Sequence, residues 1–256
     1  MPRPIKFWKL SGAGNDFVLV EGPLPAARAK TLARRLCDRR EGVGADGLLV
    51  AERGRVRYLN ADASDAFCGN GARCAAWWLK RRGWGGTSFS LSGTPVRASV
   101  AAASGRVRMP DASAARRLSV RADGRVWDVL FLDTGVPHAV VAVPAAALKA
   151  FPVSRVGRAL RRHKAFGPPG TNVDFVARVP GGLALRTYER GVEDETLACG
   201  TGAVAAALAW GRGRRVRVAV LGGGLAVTFS PRKDGGFSDV WLEGPVRQTF
   251  TGEVTL

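Results

Sequence analysis

Two cysteines open the same short motif at distant points of the chain. Cys68 begins CGNGA and Cys199 begins CGTGA, and each motif runs into a segment with a helical, alanine-rich pattern. This pattern predicts that each cysteine lies at the N-terminus of a helix. There, free backbone N–H groups and the positive end of the helix dipole favour a thiolate and can also hold a carboxylate. We therefore expect both thiols to have lowered pKa values.

Such a pair of thiols predicts proton transfer at a carbon atom. If the two helix N-termini faced each other across a cleft, one thiolate would remove a proton from one face of the carbon and the other thiol would return one to the opposite face. A lone cysteine in such a protein is more often a buried apolar residue. The repeat favours catalysis, because packing gives no reason for cysteine to occupy the same position in two diverged segments.

A nucleotide-binding role for the two glycine turns is disfavoured. The third glycine of a G-x-G-x-x-G motif is replaced by Cys74 in the first copy and by Ala205 in the second.

Other polar residues near the motifs suit a charged amino acid. Glu189 and Arg190 precede the second motif and could bind an ammonium group and a carboxylate respectively. Amides in turns beside strands either cap the turn or point into a cleft, and three residues fit that description: Asn15, Asn60 and Asn172. His138 follows Pro137, where it is either part of a site or a structural hydrogen-bonding residue.

The elements that carry these residues occur twice. A glycine turn with Asn and Asp precedes Phe-Val in GNDFV (14–18) and in GTNVDFV (170–176), and a strand then leads to each CG(N/T)GA helix. This order predicts two related α+β halves, with a boundary near residues 111–117. The apolar spacing predicts helices over 26–40, 72–80 and 153–163, and one that ends before Gly211.

The composition limits the classes of function. The chain has 256 residues and a net charge of +18, but its basic residues are mostly scattered arginines and form no basic tail, so nucleic-acid binding is disfavoured. The sequence contains no apolar run near the roughly 20 residues of a membrane span and no signal-peptide pattern, so we expect no membrane association and a cytoplasmic location. Four cysteines are too few to predict a disulfide framework, and the pair Cys68 and Cys74 has no second close pair with which to form a metal site.

Several segments together resemble diaminopimelate epimerase, in the order that the family has them: KLSGAGNDFVLV, GVGADGLLV, NADASDAFCGNGARC, GVPHAV, GTNVDFV and YERGVEDETLACGTGA. The resemblance implies a cofactor-independent epimerase that interconverts LL- and meso-diaminopimelate by a two-base mechanism, in the pathway to lysine and peptidoglycan. It also implies two similar domains, each a curled, mainly antiparallel sheet around a central helix. These domains would be residues 1–114, to which 244–256 return, and residues 115–243.

Roles also follow from the resemblance, residue by residue. Cys68 and Cys199 match the acid and the base, whose roles exchange with the direction of the reaction. The matching substrate contacts are Asn15, Asn60, Asn172, Glu189 and Arg190, and the groups expected to hold the reacting carboxylate are Gly69, Asn70, Gly200 and Thr201. No metal or cofactor is implied, and a homodimer is one alternative for the oligomeric state.

Three positions depart from the family's pattern. The usual NADGS is NADAS here, with Ala63 for glycine in a loop one residue shorter, a frequent Asn is Val136, and a frequent Gln is Gly47. Two other functions stay open: the same two-thiol chemistry on a different amino acid, and a basic nucleic-acid-binding module that keeps the fold without catalysis.

Overall fold

The structure is a computed structural model that describes residues 4–255. The chain forms two compact units: the first comprises residues 1–107 and 243–256, and the second comprises residues 108–242. The first unit therefore ends at Val107. The boundary predicted from the sequence lies seven residues later, after residue 114. Residues 1–3 and 256, at the ends of the predicted domains, lie outside the described residues.

The chain from residue 4 to residue 255 consists mainly of strands. The strands are β1 Ile5–Gly12, β2 Asn15–Glu21, β3 Gly47–Glu52, β4 Arg55–Asn60, β5 Ser88–Leu91, β6 Thr94–Val100, β7 Ser104–Arg108, β8 Arg116–Ala122, β9 Arg125–Asp133, β10 Pro137–Ala142, β11 Asn172–Val179, β12 Gly182–Glu189, β13 Asp194–Thr196, β14 Arg215–Val220, β15 Gly223–Pro231, β16 Phe237–Pro245 and β17 Arg247–Val254. The α-helices are α1 Ala26–Cys37, α2 Gly69–Arg81, α3 Ala145–Leu148, α4 Val153–Arg161 and α5 Gly200–Trp210.

In the first unit the strands surround α2. β1 pairs antiparallel with β2 and with β17, and β3 pairs antiparallel with β4. The two parallel pairs, β2 with β3 and β4 with β5, are those joined through α1 and through α2. All side chains of α2 from Asn70 to Leu79 are buried, and the helix contacts β1, β2, β3, β5 and β6. This burial over ten residues agrees with the mostly apolar segment from Ala72 to Leu79, in which Arg73 is the charged exception.

The second unit repeats this order. β9 and β10 are antiparallel, β10 and β11 are parallel across α3 and α4, and β11 and β12 are antiparallel. β12 is then parallel to β14 across α5, and β14 is antiparallel to β15. In α5 residues 202–208 are buried. The prediction of two similar α+β halves, each a mainly antiparallel sheet around a central helix, is confirmed.

The element bounds differ from the predicted ones in three places. α1 ends at Cys37 rather than at residue 40, because the Asp38 carboxylate accepts the backbone N–H groups of Arg40 (2.7 Å) and Glu41 (2.8 Å) and so stabilises a turn. α2 begins at Gly69, three residues before the predicted start, and α4 ends at Arg161. The helices over residues 4–255 are all too short or too polar to cross a bilayer.

Candidate active site

Cys68 is the N-cap of α2. Its backbone is extended (φ −132°, ψ 114°), and its Sγ accepts the backbone N–H of Gly71 at 3.4 Å. The side chain is partly exposed to solvent. This is the position that a capping serine usually takes, so the thiol lies where the helix dipole favours negative charge.

Asn70 and Asn15 hold each other beside this thiol. The Asn70 amide donates to Asn15 Oδ1, and Asn15 Nδ2 donates in turn to Asp46 Oδ2 at 2.9 Å. Arg73 Nη1 donates to Asn70 Oδ1 at 2.9 Å. The first turn of α2 is therefore fixed to the start of β2 and to the loop before β3.

Charged residues that the sequence did not single out anchor this network. Arg39 bridges Asp16 Oδ1 (2.8 Å) and Asp46 Oδ1 (2.7 Å), and Lys9 pairs with Asp16 at 2.7 Å. Burial tends to raise the pKa of Asp16, but the hydrogen bonds from Arg39 and Lys9 outweigh it and lower that pKa. The sequence signal for Asp16 was its place in the repeated Asn-Asp-Phe-Val pattern.

The Asn60 side chain bonds to β4 and to the loop that follows it rather than to the Asn15–Asn70 pair. Its Oδ1 accepts the Tyr58 hydroxyl at 2.8 Å, and its Nδ2 donates to Ser64 Oγ at 2.9 Å. In the same loop Ala63 has a φ of +71°, a left-handed conformation that favours glycine. The departure from NADGS thus falls where the backbone conformation disfavours a side chain.

Cys199 has the same position in the second unit. It is the N-cap of α5 (φ −101°, ψ 111°), and its Sγ accepts the backbone N–H of Gly202 at 3.4 Å. The Thr201 hydroxyl lies 3.4 Å from the same sulfur. The side chain is only 5% exposed.

The pKa of Cys199 is not lowered, and our expectation for this thiol is wrong. Burial, together with the nearby carboxylates of Glu189 and Asp174, raises that pKa well above its ordinary value, against the opposing effect of the Thr201 hydroxyl and the Gly202 N–H. The helix N-terminus therefore does not decide its protonation state. At neutral pH Cys199 is a neutral thiol.

A buried polar cluster lies beside the first turn of α5. Asp174 Oδ2 lies 2.6 Å from His138 Nδ1, and Asp174 Oδ1 accepts the Thr187 hydroxyl at 2.7 Å. A Cβ at Gly202 would lie 2.4 Å from Asp174 Oδ1, so the glycine is required for this close approach. The burial of His138 favours the structural alternative for this residue, with a hydrogen bond to a carboxylate.

Three of the expected substrate contacts come together around the end of β12. Asn172 Oδ1 accepts the backbone N–H of Arg190 at 2.8 Å, and Asn172 Nδ2 donates to the Pro137 carbonyl at 3.2 Å. The carboxylate of Glu189 accepts the Thr196 hydroxyl at 2.9 Å. The first contact joins Asn172, at the start of β11, to Arg190, directly after β12. The contact of Glu189 joins the end of β12 to β13.

The first turn of α5 is tied to the loop after β9. The Thr134 hydroxyl donates to the Thr201 carbonyl at 3.2 Å.

Across residues 4–255, no three His, Cys, Asp or Glu side chains converge in a way that could hold a metal ion.

Comparison with known proteins gives a consistent result. The family model described as diaminopimelate epimerase matches residues 7–113 and 130–240. The chain is 39% identical over 269 residues to the diaminopimelate epimerase of Chlorobaculum tepidum, covering 96% of this chain and 100% of that one. It is 35% identical over 280 residues to that of Aquifex aeolicus, covering 98% of each.

Among solved structures, the chain is similar to a phenazine biosynthesis protein of the PhzF family from Enterococcus faecalis. The TM-score is 0.72 at 14% sequence identity, covering 99% of this chain and 100% of that chain. A hydroxyproline epimerase from Agrobacterium vitis, with bound trans-4-hydroxy-L-proline, gives a TM-score of 0.68 at 16% identity, with 100% and 94% covered. At these identities the likeness shows the fold alone.

Proposed function

The chain belongs to the diaminopimelate epimerase family, whose members are isomerases, and on that premise we propose that it interconverts LL- and meso-diaminopimelate by passing protons through Cys68 and Cys199. The reaction needs no cofactor, and it supplies meso-diaminopimelate for lysine and peptidoglycan synthesis in the cytoplasm.

The observation that carries this proposal is the repeated position of the two thiols. In both units a cysteine is the N-cap of the central helix, and its sulfur accepts the N–H of the residue three positions further at 3.4 Å. Each sulfur thus adjoins backbone donors suited to an anion. Two such sites suit a substrate whose reacting carbon carries a carboxylate.

In the proposed reaction a thiolate takes the α-hydrogen of diaminopimelate as a proton. The electron pair of the broken C–H bond is delocalised into the adjacent carboxylate, which the backbone groups of Gly69-Asn70 and Gly200-Thr201 hold. The second thiol then donates its proton to the opposite face of the α-carbon. One thiolate has become a thiol and one thiol a thiolate, so the reverse reaction exchanges the roles.

The raised pKa of Cys199 suits the proton donor in this scheme. A thiol with Glu189 and Asp174 nearby keeps its proton at neutral pH. Cys68 is partly exposed, with a buried guanidinium in the same helix. We therefore assign Cys68 as the base and Cys199 as the acid of the resting enzyme.

The remaining substrate contacts are proposed from the resemblance and the local geometry. Glu189 and Arg190 suit the ammonium and carboxylate groups of an amino acid, and Asn15 and Asn172 lie in the hydrogen-bonded segments around the two thiols. Asn60 belongs to the same proposed set, with its amide oriented by Tyr58 and Ser64.

The experiment is α-hydrogen exchange in D2O across a panel of amino acids, with LL-diaminopimelate, proline, hydroxyproline and glutamate as separate substrates. We expect exchange and epimerisation of diaminopimelate alone, and loss of epimerisation in Cys68→Ala and in Cys199→Ala. Cys37→Ala is the matched control, because Cys37 is a buried residue of α1. Exchange of another amino acid instead would assign the thiol chemistry to that substrate. Salt-dependent DNA binding without any exchange would favour the nucleic-acid module.

A further inference from the structure

Arg73 is a buried cation that the proposed reaction leaves without a role. Its side chain in α2 has 0% exposure. Nη1 donates to Asn70 Oδ1, but Nε and Nη2 have no hydrogen-bond partner in residues 4–255. Buried charges are normally paired, and buried polar atoms are normally hydrogen bonded. A guanidinium kept in this state calls for an anion that is present when the enzyme works.

Two glycines let β1 and β7 approach α2 closely at Cys74 and Arg73. A Cβ at Gly12 would lie 2.9 Å from Cys74 Sγ and 3.7 Å from Arg73 Nη2, and a Cβ at Gly105 would lie 3.2 Å from the Arg73 carbonyl oxygen. Side chains on a helix point toward its N-terminus, which agrees with the bond from Arg73 to Asn70 in the first turn. The guanidinium therefore lies at the end of α2 that Cys68 caps.

The titratable groups that act on Arg73 are two thiols. Burial lowers the pKa of Arg73, and the charges of Cys74 and Cys68 act in the opposite direction. Cys74 is itself fully buried, and burial raises its pKa to about 12, so it stays neutral. Cys68 is the remaining candidate for the anion.

The carboxylates of β2 and of the loop before β3, next to the first turn of α2, are already paired. Asp16 on β2 bonds to Arg39 and to Lys9 of β1, and Asp46 before β3 bonds to Arg39. Asp46 is linked to α2 through the amides of Asn15 and Asn70. None of these carboxylates is paired with the Arg73 guanidinium.

The second copy of the motif lacks this cation. Aligned from the cysteines, CGNGAR places Arg73 where CGTGAV has Val204, and Val204 is fully buried. The Cys199 thiol adjoins carboxylates instead of a guanidinium. The two thiols thus stand in electrostatically opposite surroundings within otherwise matching motifs.

We propose that Arg73 is a positioning residue for Cys68: its buried guanidinium balances the Cys68 thiolate and so makes Cys68 the proton acceptor of the resting enzyme. The role of Cys68 as proton acceptor rests on the proposed function, whereas the stabilisation of the Cys68 thiolate by Arg73 does not. The Asn70 bond orients the guanidinium, and the absence of a cation at Val204 leaves Cys199 protonated.

The test is the pH dependence of Cys68 alkylation by iodoacetamide in the enzyme without substrate, followed by peptide mass spectrometry. In the wild type we expect Cys68 to react with a midpoint below pH 8. In Arg73→Met, which keeps the length and packing, the midpoint should rise by about one to three pH units. In Arg73→Lys the Cys68 midpoint should stay close to that of the wild type, because lysine keeps the positive charge. The Cys199 profile should not change in either variant.

Two results would overturn the inference. One is a wild-type Cys68 that reacts only at the pH of an ordinary thiol, near 9.0, and this arm needs no variant to fold. The other is an unchanged Cys68 profile in an Arg73→Met variant with wild-type circular dichroism. A chain that fails to epimerise diaminopimelate but shows the expected Cys68 profiles would refute the proposed function and support the role of Arg73.

Discussion

His138 Nδ1 lies 2.6 Å from Asp174 Oδ2, and neither side chain has any exposure to solvent. The other carboxylate oxygen accepts the Thr187 hydroxyl. Two donors thus hold a buried carboxylate beside the first turn of α5, where its charge opposes ionisation of Cys199. This cluster therefore packs against Gly202 and adds to the effects of burial and Glu189 that raise the pKa of Cys199.

Asp174→Asn should destabilise the protein by about 1–3 kcal/mol, because the amide NH2 would face a donor in a buried site. The free energy of unfolding in urea measures this effect. The control is Asp128→Asn, since Asp128 is exposed and pairs with Arg117 at only 3.7 Å. That change should stay within about 0.5 kcal/mol. Equal stability of the two variants would contradict the assigned role of the cluster.

Gly202→Ala should destabilise the protein, whereas Gly71→Ala should be tolerated. A Cβ at Gly202 would lie 2.4 Å from Asp174 Oδ1 and 3.2 Å from Thr187 Oγ1. At the matching Gly71 the nearest atoms, in Cys68 and Phe17, would lie at 3.5 Å, an ordinary contact. We expect a loss of about 1–3 kcal/mol for the first variant and wild-type or higher stability for the second, because alanine favours a helix over glycine. The measurement is the melting temperature of each variant. A Gly71→Ala variant that melts below Gly202→Ala would refute this difference between the two helix starts.

Stability should fall above pH 9, partly because of Cys37. Burial is the main cause that raises the pKa of this thiol from its ordinary 9.0 to about 12. Above pH 9 the unfolded chain loses this proton while the folded chain keeps it, so rising pH favours unfolding until about pH 12; below pH 9 the contribution is intact. Cys37→Ala should therefore make the slope of the unfolding free energy less steep by about 1.4 kcal/mol per pH unit between these values.

The measurement is urea unfolding at several pH values from 8 to 10.5. Ser119→Ala, at an exposed position of β8, should keep the wild-type slope. An unchanged slope in Cys37→Ala would show that this thiol ionises equally well in the folded protein.

Much of the fold follows from local sequence patterns. The repeated Asn-Asp-Phe-Val and CG(N/T)GA segments predict two similar halves, because a helix start and a strand start each have a short-range signal. The strand β17 was missed, since its side chains are mostly exposed and show no apolar alternation. It exists through pairing with β1, from Ile5 with Val254 to Ser11 with Arg247, which no local pattern encodes.

The site was predictable in residue identity but not in electrostatics. The motifs indicate Cys68 and Cys199, yet the helix dipole alone predicts the wrong pKa direction for Cys199. Asp174 lies 25 positions before this thiol in the chain, and only the pairing of β11 with β12 brings it beside Thr187. Burial and long-range contacts of this kind have no local signal. The burial of Arg73 and its incomplete hydrogen bonding likewise could not be predicted from the motif.

The most direct measurement is the fate of deuterium during the first few per cent of the reaction of LL-diaminopimelate in D2O. If Cys68 removes the proton and Cys199 delivers another to the opposite face, newly formed meso-diaminopimelate should carry one deuterium at the inverted carbon. The unreacted LL-diaminopimelate should then remain unlabelled. If early product retains hydrogen, or substrate and product gain deuterium at equal rates, a single base serves both faces and the two-thiol mechanism is contradicted.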